Sequence, residues 1–385
     1  MQFKDVIGHE SVKERLIKTV KEGRISHAQL FLGKEGSGNL SLAIAYAQYI
    51  SCQNKSDTDS CGECASCIKF QKLIHPDLHF VFPVATNDEV KDKPISANFL
   101  VQWREAVLQE PYLSIANWQE KIETGNKQLL ISKNESESIL KILSLKTYEA
   151  EYKTMIIWYP EKFNIASANK LLKIIEEPPS KTLFILVAHD VSQLISTILS
   201  RTQLVKIGIV DETILKNELI KKYALEDSLA QNIARLSDGN FIQAKKIIEQ
   251  SEQEELFFSL FTNWMRAAFK GDVPSLITWT DEIAKTTFGR EKQKQFLTYC
   301  LHLVRESLIK NFGKPDLGRT ANNEKGFLAN FAPFIHGANC MEIINLLNDA
   351  SYHIERNANP KILFLDVSLK LTKLLRVEAP SEAEQ

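Results

Sequence analysis

Gly33-Lys34-Glu35-Gly36-Ser37-Gly38-Asn39-Leu40-Ser41 follows an apolar run, Ala28–Leu32, and opens a helical pattern over 42–50. Strand, glycine loop, helix is the setting of a phosphate-binding loop, Gly-x-x-x-x-Gly-Lys-Ser/Thr, whose backbone N–H groups cradle an anion at a helix N-terminus. Gly33 and Gly38 stand at the two glycine positions. The lysine that reaches the terminal phosphates belongs at 39 and the hydroxyl that holds Mg²⁺ at 40; this chain has Asn39 and Leu40. Asparagine carries no charge and leucine binds no metal. The loop therefore predicts a nucleotide-binding scaffold that has given up hydrolysis. Gly33, Gly36, Gly38 and Asn39 form its vestigial cradle, which holds nucleotide weakly or not at all. Taken by itself, the stretch also reads as a plain glycine-rich turn with no ligand.

Outward from the loop, short apolar runs alternate with helical patterns. Strand candidates are Ala28–Leu32, 78–82, 154–158, 183–188 and 203–207; helical stretches are 11–22, 42–50, 135–143 and 167–176, the last stopped by Pro178-Pro179. Nearly all-apolar strands separated by helices predict a parallel sheet covered on both faces. Beyond Asp211 the strand signals stop and amphipathic helices take over, with Asp238-Gly239-Asn240 as a turn. The polar run 250–255 marks a boundary or an exposed helix start. The expected fold is α/β plus all-α. Residues 1–208 form the α/β domain, 209–250 a small helical lid, 251–376 a helical domain and 377–385 a disordered tail. Residues of about 85–128, with Trp103 and Trp118, break the alternation and read as an insertion packed on the α/β domain. Trp264 and Phe257-Phe258 read as core of the helical domain.

The 385 residues carry a formal net charge of −1, so no global basic field draws the chain to nucleic acid or membrane. Its apolar runs are too short to span a bilayer and its first residues lack an apolar signal region, which predicts a cytoplasmic protein without membrane contact. Four of six cysteines sit in Cys52-x8-Cys61-x2-Cys64-x2-Cys67. In a reducing compartment such a cluster predicts metal binding, and four thiolates around Zn²⁺ make a closed, structural site. An iron–sulfur cluster is the rival, although the ferredoxin run places a further cysteine downstream where this chain has Ile68-Lys69-Phe70. His75 is a possible replacement ligand, but beside Pro76 it reads as a turn residue. Cys300 and Cys340 read as small buried apolar residues.

The broken loop, the four-Cys module after the next helix, Leu171-Leu172-Lys173-Ile174-Ile175-Glu176-Glu177-Pro178-Pro179 and Leu199-Ser200-Arg201-Thr202 together resemble the delta prime subunits of the bacterial DNA polymerase III clamp loader, of the AAA+ class. Phe3-Lys4-Asp5-Val6-Ile7-Gly8-His9-Glu10, Ser26-His27-Ala28-Gln29-Leu30-Phe31 and Asn357-Ala358-Asn359-Pro360 resemble other parts of that family. The resemblance is dense over 1–84 and 129–208 and sparse beyond. It implies an AAA+ P-loop-type sheet carrying a zinc module at 52–67, a helical lid, and a collar domain that joins the oligomer. It also implies a subunit that is no enzyme as an isolated chain, within the DNA polymerase III holoenzyme, a DNA-directed DNA polymerase. Its implied partners are the gamma/tau ATPase subunits and the delta subunit, and through the assembly the sliding clamp and primed DNA. Arg201 is the implied catalytic residue, an arginine finger reaching in trans into the neighbouring ATP site; Thr202 stands where the family has cysteine.

Where hydrolysing relatives end a strand in acidic residues, this chain has Trp158 and Tyr159, with only Glu161 remaining. Gln243 stands at the place of the lid's sensor arginine. Lysine, hydroxyl, acidic pair and sensor arginine are all missing, and phosphoryl transfer rests on such electrostatic parts. The alternatives are a catalytically active gamma/tau-like ATPase and a zinc-dependent interaction module outside replication. Plainer readings apply to individual residues. Arg201 pairs with an acidic neighbour at the surface, Glu176 and Glu177 cap a helix or touch a neighbouring subunit, and Lys216, Lys221, Lys222, Lys245 and Lys246 form a solvated helix face rather than a DNA contact.

Overall fold

The computed structural model of the chain describes residues 1–285, 288–311 and 322–378. They divide into two compact units, Met1–Ile248 and Glu249–Gln385.

The first unit is built on five parallel strands, β1 (Ala28–Leu32), β2 (Leu78–Val81), β3 (Lys153–Trp158), β4 (Thr182–Ala188) and β5 (Gln203–Lys206), in the order β2-β3-β4-β1-β5. Leu30 of β1 aligns with Leu186 of β4 on one side and Leu204 of β5 on the other. Every residue of β3 and β4 is buried. The two faces of the sheet enter different cores. Phe31, Ile156, Trp158, Ile185 and Val187 face α1 (Glu10–Lys21) and α2 (Asn39–Ser51); Leu30, Met155, Ile157, Phe184 and Leu186 join the core that α6 (Lys133–Ser144) and α7 (Ile165–Glu176) complete. Burial on both faces is what permits strands this uniformly apolar. With a glycine loop leading from β1 into α2, this is the parallel sheet, covered on both faces, that the alternating pattern predicts.

Between these elements lie α3 (Ala65–Gln71) in the cysteine module, and α4 (Leu100–Gln109) and α5 (Ile115–Lys121) in the expected insertion. The insertion is more than a decoration. Trp103 stacks on Phe82 with centroids 4.2 Å apart, lies 5.1 Å from Trp158 and meets Trp118 edge-on at 5.2 Å, and both insertion tryptophans are wholly buried in the main core. The Trp118 indole donates to the Pro83 carbonyl at 2.9 Å.

One buried carboxyl fastens this insertion. Glu135, in the first turn of α6, accepts the Ser96 N–H at 2.6 Å. Burial pushes its carboxyl up to about 7, against the pull of that N–H. A carboxyl that binds its proton more tightly folded than unfolded contributes most below its unfolded value, and that contribution is lost as pH rises from about 4.5 to about 7. Glu135→Gln is therefore expected to unfold like the natural chain at pH 4.5, and at pH 8 to be more stable by roughly 1–3 kcal/mol. Urea titrations of both at the two pH values check this.

The unit continues through α8 (Ser196–Leu199), α9 (Glu212–Tyr223) and α10 (Asp227–Leu236) into α11 (Phe241–Lys270). Leu215, Leu219, Ile233 and Phe241 form a smaller core that takes in Tyr112 of the insertion. Asp238-Gly239-Asn240 is the turn between α10 and α11. The polar run 250–255 begins no helix: it is a mostly exposed stretch inside α11, and the division between the units falls within that helix.

The second unit contains α12 (Val273–Ile283), α13 (Arg290–Asn311), α14 (Asn322–Phe331), α15 (Cys340–Glu355) and α16 (Pro360–Leu374). Its centre is Trp264, stacked on Trp279 at 4.5 Å, with its indole N–H donating to Ser368 Oγ at 2.7 Å. Phe257, Cys300 and Cys340 are buried there and Phe258 is half-buried. No helix among the described residues is long and apolar enough to cross a membrane. Of the expected tail 377–385, all but Val377 and Glu378 lies outside the described residues.

Candidate functional site

The loop between β1 and α2 has a cover made of the chain itself. Gly33 N–H donates to the Ala188 carbonyl at 3.2 Å, tying the loop to the end of β4. Gly36 and Gly38 both have φ +84°, in the left-handed region where a Cβ is strained. Space at both is closed as well. A Cβ on Gly36 would lie 2.0 Å from Asn240 Oδ1, and one on Gly38 2.8 Å from a ring carbon of Tyr112. Asn240 Nδ2 donates to the Glu35 carbonyl at 2.8 Å and Phe241 N–H to the Gly36 carbonyl at 3.2 Å. Tyr112 lies 4.8 Å from the Phe241 ring, and its hydroxyl accepts the Ile7 N–H at 2.9 Å. His9, whose imidazole burial holds below its usual pKa, places Nε2 2.7 Å from the Ser37 carbonyl.

Asn39, where a phosphate loop carries its lysine, turns inward. Its amide donates to the Gly33 carbonyl at 3.0 Å and the Ala188 carbonyl at 3.1 Å, and the residue is only 3% exposed. Leu40 is equally buried. A lysine at 39 would project a charge to the phosphates; this amide instead closes the junction between loop and sheet.

The opposite wall is aromatic. Trp158 belongs to the tryptophan cluster, and Tyr159, at φ +55°, donates its hydroxyl to Glu35 Oε1 at 2.6 Å, which also accepts the Ile115 N–H at 2.8 Å. The Tyr159 ring stacks on His189 at 4.0 Å. Glu161 spends its carboxylate on the backbone N–H groups of His189 and, at 2.9 Å, Asp190. Burial pushes the Glu161 carboxyl up and the His189 imidazole down to about 3. The corner thus favours neutral side chains, the reverse of a Mg²⁺ site. Gln243 is exposed on the first turn of α11, its N–H on Asn240 Oδ1 at 3.0 Å.

Arg201 lies on the surface between α8 and β5. Its Nε donates to the carboxylate of Glu176, the last residue of α7, and Nη1 reaches the Thr197 carbonyl at 3.1 Å and Ser200 Oγ at 3.3 Å. Its side chain is one-third exposed. Of the lysines singled out on α9 and α11, Lys216 pairs with Asp227 at 2.7 Å, Lys245 with Glu110 at 2.6 Å, and Lys222 sits 4.8 Å over the Phe241 ring.

The cysteine module brings Cys52, Cys61, Cys64 and Cys67 together, with all four sulfurs within 4.8 Å of one another. Cys52 and Cys61 sulfurs are 3.5 Å apart, and Cys61 and Cys67 3.9 Å. Cys61 N–H points at the Cys52 sulfur at 3.3 Å, Cys64 N–H at the Cys61 sulfur at 3.3 Å and Cys67 N–H at the Cys64 sulfur at 3.5 Å. Backbone N–H groups of Glu63 and Cys64 hold the Cys61 thiol down to about 6, while burial drives Cys52 and Cys67 up. Four such thiols can all ionise only around a cation, and the spacing leaves room for one ion. His75 is not part of the set. It is buried in the turn before β2, where its Nδ1 accepts the Asp77 N–H at 3.1 Å.

The sequence singled out the glycines, Asn39 and the cysteines, but missed the loop's cover. Tyr112 and Asn240 act across long stretches of chain, and the only local signal was the turn that carries Asn240. Glu176 was visible as a helix end, though not as the partner of Arg201.

Residues 8–210, more than half of the chain, match the family described as "DNA polymerase III, delta subunit". The delta prime subunit of Bacillus subtilis DNA polymerase III is 26% identical over 63% of this chain and 59% of its own length; that of Haemophilus influenzae is 28% identical over 62% and 64%. The matched region thus spans about three-fifths of these relatives. Among solved structures, a Bacillus subtilis DNA clamp loader delta protein aligns over 93% of this chain and 99% of its own at 13% identity, with a TM-score of 0.34. The chain belongs to the DNA polymerase III delta-subunit family.

Proposed function

We propose that this chain is a delta-prime-type clamp-loader subunit that neither binds nor hydrolyses nucleotide itself. It scaffolds the loader in the cytoplasm between a gamma/tau-type ATPase subunit and the delta subunit, its second unit serving as collar. Arg201 completes the ATP site of the neighbour, and the assembly opens the sliding clamp on primed DNA. The observation that carries the reading is the covered loop: Asn39 is spent on two backbone carbonyls, and Asn240 and Tyr112 occupy the space over Gly36 and Gly38. Four parts of phosphoryl transfer are missing together: two cationic side chains, the acidic pair, and the hydroxyl that would hold Mg²⁺.

In the cysteine module the proposed ion is zinc. A tetrahedron with Zn–S bonds of about 2.3 Å has sulfurs about 3.8 Å apart, close to the 3.5 and 3.9 Å found here. Sulfurs that close leave no room for a cluster of several irons. With four thiolates as ligands no position stays open for water, so the zinc would supply folding free energy and no catalysis.

A steady-state assay of the isolated chain with Mg·ATP, joined to equilibrium dialysis against labelled ATP, tests the central reading. The expected result is no turnover above background and no binding at micromolar nucleotide. Turnover at the pace of an ordinary AAA+ ATPase would establish the gamma/tau-like alternative instead.

A further inference from the structure

We propose that Glu176 is a positioning residue, which fixes the guanidinium of Arg201 so that one edge stays free for a phosphate oxygen of a neighbouring chain; this rests on the finger reading of Arg201. An arginine has five N–H donors in a rigid fork. Here three are spent internally: Nε on Glu176, and the two of Nη1 on the Thr197 carbonyl and Ser200 Oγ. Among the described residues the two donors of Nη2 have no acceptor. The fork is thus held along one side with its far end free.

The placement of the carboxylate supports a dedicated role. Glu176 ends α7, where the helix dipole disfavours a negative charge, and Pro178-Pro179 prevents the helix from continuing. A cation alongside offsets that cost. The end of α7 is itself held, because His27 Nε2 lies 3.1 Å from the Ile175 carbonyl. On the other side, Arg201 N–H donates to the Ile198 carbonyl at 3.2 Å and Thr202 Oγ1 to the same carbonyl at 2.9 Å. Both ends of the pair therefore stand on fixed backbone.

Stability does not account for the contact. The side chains are 33% and 43% exposed, and ion pairs so exposed contribute roughly 0–1 kcal/mol. Geometry does, since a long arginine loses its preorganisation when its Nε contact is removed, and misplacing a catalytic group by about 1 Å costs up to ~10²-fold in rate.

The test uses the assembled loader, with hydrolysis at the neighbour's ATP site followed over a range of ATP concentrations. Glu176→Ala is expected to lower kcat at that site roughly tenfold with KM for ATP within about twofold. Glu176→Gln, whose amide oxygen still accepts from Nε, should recover most of the rate. Arg201→Ala with Glu176→Ala should be no slower than Arg201→Ala alone, because the two act as one unit. Gel filtration confirms that each variant assembles. If Arg201→Ala is slow while Glu176→Ala matches or exceeds the natural chain, the positioning role is wrong and the finger stands. A Glu176→Ala defect that adds to that of Arg201→Ala, or that glutamine does not relieve, also overturns it. If Arg201→Ala itself is harmless, the finger reading fails instead.

Discussion

Replacing Arg201 with alanine is expected to slow ATP hydrolysis at the neighbouring subunit's site by roughly 10³-fold or more while leaving this chain folded. The rate expectation follows from charge. A guanidinium delivered in trans meets the negative charge that spreads over the transferring phosphoryl group, in a site that has excluded water, where a fixed donor acts far more strongly than in solvent. The folding expectation follows from exposure, since the Glu176 contact is worth at most about 1 kcal/mol, and Thr202 and the backbone of 201 keep their bonds to Ile198 without the side chain. Arg201→Lys should recover only part of the rate, because an ammonium offers a point charge where the fork offers paired donors. Single-turnover hydrolysis by the assembled loader is the measurement that decides. The served site should appear as a slow phase while sites served by other subunits keep their rate. Identical traces from natural and variant loaders would remove Arg201 from the chemistry.

The parts of this molecule that were legible in its sequence are those set by nearest neighbours. All five strands announced themselves because each is a short apolar run, and such runs are stable only where both faces of a sheet are covered. Their ends were displaced by at most one residue, as with β4, which begins at Thr182 rather than 183. The helix after the glycine loop starts at Asn39, earlier than its apolar pattern suggests, because the polar Asn39 side chain is satisfied by the loop rather than by water. The cysteine spacing named four ligands, and the chain brings those four together. What stayed hidden depends on distant pairing. Trp103 and Trp118 looked like pieces of an attached insertion; only the folded chain puts them against Phe82 and Trp158 in the main core. Nothing local in Tyr112 or Asn240 points to Gly38 or Gly36. The sequence shows Asn39 and Leu40 where a phosphate loop has lysine and a hydroxyl, and the structure adds which residues cover the loop's glycines.

Removing one sulfur from the cysteine module is expected to unfold that module and spare the sheet. Residues 52–64 form no helix or strand, and the segment is polar, so hydrophobic burial cannot hold it. Its backbone is organised around sulfur instead, through the three N–H contacts to Cys52, Cys61 and Cys64. Structural zinc contributes on the order of 10 kcal/mol to comparable small sites, and Cys64→Ser takes away one ligand while its hydroxyl still accepts the Cys67 N–H that caps α3. Bound metal should fall from about one zinc per chain to well below that. Amide exchange should accelerate across 52–67. It should also accelerate at Phe3 and Lys4, because Asp59 of the module accepts both of their N–H groups at 3.0 Å. Amides of β1, β3 and β4 should keep their protection, since the residues that bury those strands come from the helices on either face of the sheet. Elemental analysis and hydrogen exchange on the same preparation read both halves. Native protein free of zinc would end the zinc assignment, and a Cys64→Ser chain that retains its metal would end the role of Cys64 as a ligand. Loss of protection throughout the sheet would instead make the ion part of the folding of the whole first unit.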